Sequence, residues 1–141
     1  MKVYILTTPC SGKTFYAKKH NDLYDVERLL KEKRISKQRI TSQSRQKGVN
    51  ETIKATPENA VLIGMPCKPE VDNCKYLAVL ISEENLKEYL KRRSKKGKWK
   101  KWKTFEQIKP VRKELKEICS KFNIPIYNSI QTAICEARKY I

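Results

Sequence analysis

Long apolar runs are missing from this chain. None of its 141 residues belongs to a stretch near the 18 or more uninterrupted apolar side chains that cross a bilayer. The first residues, MKVYIL followed at once by polar TTPCSGKT, lack the apolar core and small-residue cleavage site of an export signal. A soluble, cytoplasmic chain without a membrane partner is expected. Histidine is nearly absent: the single His20 has no second metal-type side chain beside it, which argues against a histidine-built metal site. The five cysteines, at 10, 67, 74, 119 and 135, form no C-x-x-C pair and no even set. That argues against a cysteine-built metal site and a disulfide framework and makes reduced thiols the expected state. Cys10 alone sits where loop amides and Lys13 would lower a thiol pKa and make it a candidate oxidation sensor.

Acidic residues are few as well, 15 against 32 Lys and Arg, and the net charge of +17 draws polyanions such as nucleotide phosphates or nucleic acid. Lysine outnumbers arginine 24 to 8, a bias that genomic base composition produces as readily as selection for phosphate binding. Charge therefore supports an anionic partner without naming it. The length fits a single domain, because a chain of this size buries roughly 68% of its unfolded surface around one core.

What is present alternates strand with helix. VYIL, Val3 to Leu6, reads as a buried strand, and FYAKKH after Lys13 as a helix start. Asp22 to Asp25 reads as a second strand end, followed by a helix with Val26, Leu29 and Leu30 on one face. Ile35 to Lys47 is polar and weakly patterned, which predicts a mobile connection, and Val49 to Ala55 a short helix before Pro57. AVLIG, 60–64, predicts a central strand and YLAVLI, 76–81, another, with Ser82, Glu83 and Glu84 opening a helix that carries Leu86, Tyr89 and Leu90. Thr104 and Gln107 form a capping-box pattern ahead of Ile108, Val111, Leu115 and Ile118, although Pro110 is comfortable only in a first turn. NIPIY, 123–127, predicts a last strand, and Ser129 caps a last helix. Such alternation implies a parallel sheet covered on both sides, with the ligand crevice beyond the carboxyl ends of the strands.

TTPCSGKT, Thr7 to Thr14, falls at such an end. A loop from a strand into a helix N-terminus points several backbone N–H groups and a positive dipole end at one place, so it holds phosphate oxygens. Gly12 permits close approach, Lys13 reaches terminal phosphates, and the Thr14 hydroxyl is a Mg²⁺ ligand type. Thr7 stands where the phosphate-loop pattern G-x-x-x-x-G-K-T begins with glycine. On the loop alone, nucleotide binding and an ordinary turn are both open.

The stretch resembles the G-x-P-G-S-G-K-T of small P-loop kinases of the shikimate kinase, nucleoside monophosphate kinase and polynucleotide kinase kind, agreeing at Pro9, Ser11, Gly12, Lys13 and Thr14 and departing at Thr7 and Cys10. LYDVE supplies Asp25 and Glu27 at the spacing of that group's D-x-D. The resemblance implies a three-layer α/β/α P-loop NTPase fold over 1–141, with a five-stranded parallel sheet in the order 2-3-1-4-5 and a lid at about 92–103. It implies ATP and Mg²⁺ as cofactors and transfer of a phosphoryl group to a nucleotide or other small acceptor. Thr8, Pro9, Cys10, Ser11, Gly12, Lys13 and Thr14 would hold the nucleotide, Thr14 and Asp25 the metal, and Lys13, Asp25, Arg92 and Arg93 would serve catalysis. Glu27, Arg39, Arg45 and Arg112 are the acceptor-side candidates. Against an active site there, an acidic residue at a helix start stabilises the helix whatever its function, and AVLIG ends without the carboxylate that many P-loop proteins place beside Mg²⁺. A binding protein without catalysis is the alternative from another class. KRRSKKGKWKKWK, 91–103, suits a lid closing on ATP, or a groove for single-stranded nucleic acid with Trp99 and Trp102 as stacking faces, or a solvated surface. A 5′-hydroxyl polynucleotide is therefore a second candidate acceptor.

Overall fold

A computed structural model of the chain describes residues 1–11, 16, 19–20, 22–32, 42–94 and 104–141. Five parallel strands form one sheet: β1 (Lys2–Leu6), β2 (Leu23–Asp25), β3 (Val61–Gly64), β4 (Cys74–Val79) and β5 (Ile126–Tyr127), in the order β2-β3-β1-β4-β5. The predicted order holds. β1 takes the middle, with Val3 opposite Val61 on one side and Lys75 on the other, so the 60–64 run is interior but not central.

Among the described residues five helices cover the sheet: α1 (Val26–Glu32), α2 (Ser42–Ala55), α3 (Glu83–Ser94), α4 (Phe105–Phe122) and α5 (Ile130–Ala137), the last followed by a 3₁₀ turn, Arg138–Tyr140. Capping residues open three of them. Ser82 Oγ accepts from the Asn85 amide (3.1 Å), Ser129 Oγ accepts from the Thr132 amide (3.2 Å), and Thr104 and Gln107 complete a reciprocal capping box. Pro110 lies inside α4 rather than in its first turn. The helix runs through it because burial of Ile108, Leu115 and Cys119 along one side outweighs one missing N–H. α4 ends at Asn123, left-handed at φ 55°, whose amide bonds the Cys119 carbonyl.

α2 corrects the expected mobile connection: helix begins at Ser42, not Val49. Its first seven residues, SQSRQKG, carry no apolar periodicity, and tertiary contacts hold them instead. Arg45 pairs with Glu27, Gln46 bonds the Lys68 backbone in both directions, and Gly48 lets Leu30 pack close to its backbone. Residues 33–41 and 95–103 lie outside the described residues, so Trp99, Trp102 and all of the expected lid beyond Ser94 lie there too, while Arg92 and Arg93 lie in the last turn of α3.

The core has two sides. Val3, Ile5, Val61, Ile63, Leu77 and Val79 face α5. Tyr4, Leu6, Leu62, Tyr76 and Ala78 face α2 and α4. Residues 65–73 carry the chain from β3 across to β4 with no helix. Nine residues is short for a parallel crossover, which usually takes a dozen or more and a helix.

Candidate active site

Parallel pairing puts every strand's carboxyl end on one edge. Thr7 to Ser11 leave β1 there, Asp25 closes β2, Gly64 closes β3, and Ile81 follows β4.

Thr7 is fully buried and forms two hydrogen bonds to the Gly64 carbonyl, from its amide (2.7 Å) and its hydroxyl (2.9 Å). The residue that stands in for a loop glycine thus prolongs the β1–β3 pairing by one step. Cys10 has φ 64°, a left-handed conformation that glycine adopts freely and that costs an L side chain roughly 1–2 kcal/mol. Its half-buried side chain packs on the Leu86, Leu90 and Ile108 cluster, so the loop is tied to α3 and α4. Thr7 and Cys10, the two departures from the kinase loop pattern, both anchor the loop to its surroundings.

Asp25 ends β2 opposite Ile63 and stands at the N-terminus of α1, with its Oδ1 3.5 Å from the Arg28 amide, a long contact. Two residues on, Glu27 Oε2 accepts from Arg45 Nη2 at 2.7 Å, and the pair joins the first turn of α1 to α2. Sequence reading assigned both residues to acceptor binding without anticipating their contact, since 18 positions separate them.

Arg112 is 7% exposed; its Nη1 donates to the Ile81 carbonyl at 2.8 Å and its guanidinium lies over the Phe105 ring. Burial pushes its pKa below the ordinary arginine value, and nearby Glu83 works in the other direction. A charged group with five donors is thereby fixed at the strand-end edge beside β4. Arg92 is exposed in the last turn of α3, and Arg93 belongs to the same helix. Gly12, Lys13, Thr14 and Arg39 lie outside the described residues.

Gly64 and Tyr4 complete the edge, and neither was a candidate from sequence. A Cβ on Gly64 would collide with the Tyr4 hydroxyl and lie 3.1 Å from Val26 Cβ. That close passage lets Tyr4 Oη reach the Met65 carbonyl at 2.8 Å. Glycine after an apolar strand was the available signal; its meaning depends on a tyrosine 60 residues earlier.

Among the described residues, three buried side-chain polar atoms lack a hydrogen-bond partner: Thr8 Oγ1, Ser11 Oγ and Glu27 Oε1. All three follow β1 or β2 on this edge. A buried group left unsatisfied costs about 1–3 kcal/mol, so concentrating the deficits at one place suits a site that a ligand completes.

The donor chemistry fits a lightly held Mg²⁺. That ion takes oxygen ligands and commonly uses one or two carboxylates together with water and substrate phosphates. Asp25 is the strand-end carboxylate, Glu27 is engaged by Arg45, and no group of three potential ligands occurs among the described residues.

No protein-family model matches the sequence, and no curated protein matches it. Among solved structures the fold is similar to shikimate kinase from Aquifex aeolicus, with a TM-score of 0.53 and 15% identity over 99% of this chain and 96% of that one. The fold is that of the P-loop kinases.

Proposed function

We propose that this chain is an ATP-dependent phosphotransferase that moves a γ-phosphoryl group to a small acceptor, a nucleotide or nucleoside monophosphate. The observation that carries the reading is the clustering of the three orphaned polar atoms, Thr8 Oγ1, Ser11 Oγ and Glu27 Oε1, on the edge that also holds Asp25 and Arg112.

The loop from Thr8 to Thr14 receives the β- and γ-phosphates through its amides, with Lys13 at the terminal phosphate. Thr14 and Asp25 are the residues that would hold Mg²⁺. When bound, that ion neutralises charge on the phosphate oxygens. The acceptor oxygen, a phosphate oxygen or a hydroxyl, forms the new O–P bond as the bond to the β–γ bridging oxygen breaks and ADP leaves; where the acceptor is a hydroxyl, Asp25 takes its proton. Arg92, Arg93 and Arg112 steady charge developing on the equatorial oxygens. Glu27, Arg39 and Arg45 hold the acceptor. A single domain with a lid at about 92–103 would exclude water during transfer.

A 5′-hydroxyl polynucleotide is the second acceptor reading, favoured by one observation: segments 33–41 and 95–103, KRISKQRIT and KKGKWKKWK, contain ten basic residues and no acidic one. The decisive experiment measures ATP consumption with nucleoside monophosphates, shikimate-like alcohols and 5′-hydroxyl oligonucleotides, in parallel with Lys13→Ala. Turnover with one acceptor class, lost in Lys13→Ala, is expected. Unchanged turnover in Lys13→Ala removes the site assignment. No turnover with any acceptor, while ATP raises the melting temperature, leaves a nucleotide-binding protein instead.

A further inference from the structure

The helix-free crossover leaves a groove between the helices on one side of the sheet, although the strand side chains beneath it are buried. Residues 65–73 lie against α2, where Gln46 accepts from the Lys68 amide (2.8 Å) and donates to its carbonyl (3.1 Å), and Asn50 Nδ2 donates to Glu70 (3.1 Å). Held to α2, the crossover does not fill the space next to α4. A groove of about 1040 Å³ opens there between the two helices, with Met65 and Pro66 among its lining residues.

α4 carries two apolar stripes. Ile108, Leu115 and Cys119 are buried in the core. Val111 and Ile118 are only half-buried, Phe122 is 39% exposed, and at spacings of seven and four these three share the helix side that lines the groove. A helix about 10 Å across, rising 1.5 Å per residue, fills roughly 1,200 Å³ in ten residues, the same order of size as the open groove. The rims differ in charge. α2 presents Lys47 and Lys54 with Glu51 between them, and α4 presents Glu114 and Glu117 with Lys121 at its end. The groove runs from Arg45 and Met65, next to the strand-end site, down to Lys54 and Phe122 at the amino edge of the sheet, so one end adjoins that site and the apolar stripe of Val111, Ile118 and Phe122 leads away from it.

We propose that this groove is a docking site for an amphipathic helix of a partner protein, about ten residues of it in contact. Its apolar stripe lies on Val111, Ile118 and Phe122, its acidic flank toward α2 and its basic flank toward α4. The occupant takes the place that a crossover helix holds in most parallel sheets, and opposite flanking charges set its polarity.

The test uses the full chain and fluorescent 16-residue helical peptides with leucine at i, i+3, i+4 and i+7. One peptide has glutamate along one flank and lysine along the other, one has lysine on both, and one has glutamate on both. Anisotropy is read at 0.3 M NaCl to suppress non-specific attraction to the +17 chain. The mixed-flank peptide is expected to bind at least tenfold tighter than either uniform one. Ile118→Glu and, separately, the more exposed Phe122→Lys are each expected to weaken it tenfold or more, with circular dichroism confirming that both variants fold. Equal binding of the three peptides, no binding, or binding that neither variant changes overturns the proposal. So does a chain that dimerises at micromolar concentration and is made monomeric by Phe122→Lys, because a second copy would then own the groove.

Discussion

The two faces of the sheet solve the same burial problem with different chemistry. Toward α5 the buried strand side chains are aliphatic, Val3, Ile5, Val61, Ile63, Leu77 and Val79, which meet Ile130, Ala133, Ile134 and Ala137, with Tyr127 of the edge strand β5 only half-buried against them. Toward α2 and α4 they present Tyr4 and Tyr76, tilted rings 5.9 Å apart, with Cys67 and Cys74 near them. Each tyrosine spends its hydroxyl on the main chain: Tyr4 on the Met65 carbonyl and Tyr76 on the Val71 amide. Burial pushes both tyrosine pKa values up and raises Cys67 to about 12 and Cys74 to about 11. The aliphatic face resists water by area alone, whereas the aromatic face also fixes the chain leaving β3, next to the candidate site. A face built from polar-tipped rings gives positional definition at the cost of depending on each bond.

The comparison can be broken first on the aliphatic side. Leu77→Ala should lower unfolding free energy by about 2–5 kcal/mol in urea titration, through lost transfer energy and the cavity left behind. A loss below about 1 kcal/mol would mean that this face collapses around the gap. Gly64→Ala tests the aromatic side and should cost about 1–3 kcal/mol by overpacking against Tyr4 and Val26. Tyr4→Phe in the same background should recover part of that loss, because the hydroxyl is the atom a new Cβ meets first. Additive losses in the double variant would show that the two residues do not meet as described.

Alkaline pH should separate the faces further. The Cys67 thiol ionises near pH 9 when unfolded and near 12 when folded. Between those values only the unfolded chain gives up the proton, so stability falls as pH rises through that window, by at most about 1.4 kcal/mol per unit from this group, and is unaffected by it below pH 9. Cys67→Ala should flatten the decline measured by urea titration at about pH 8, 9.5 and 10.5. An unchanged slope would assign the decline to other groups. The smallest effect is expected at Cys10→Gly, where relief of the left-handed strain and loss of packing on Leu86, Leu90 and Ile108 nearly cancel, within about 1 kcal/mol. A larger loss would show that packing outweighs the strain at this position.

The strand cores and the caps at Ser82, Thr104 and Ser129 were legible because they rest on local pattern, whereas the sheet order, in which β1 pairs with β3 and β4 and not with β2, came only from the resemblance to P-loop kinases. The first half of α2 was not, since SQSRQKG forms helix only with Glu27, Lys68 and Leu30 against it. At the candidate site, Asp25, Glu27, Arg45 and Arg112 could be named from the resemblance to P-loop kinases together with residue type. That Arg45 is engaged by Glu27, and that Arg112 is buried on the Ile81 carbonyl, could not.

By itself the sequence determined the strands, most of the helices and the loop that carries the phosphate-binding pattern, because hydrophobic period and capping chemistry act over a few residues. Tertiary structure alone decided what Thr7 and Cys10 do, why residue 64 must be glycine, and that a nine-residue crossover leaves a groove beside α4. Each of these depends on atoms brought together from distant positions in the chain, and close packing fixes such meetings in space without leaving a local mark in the sequence.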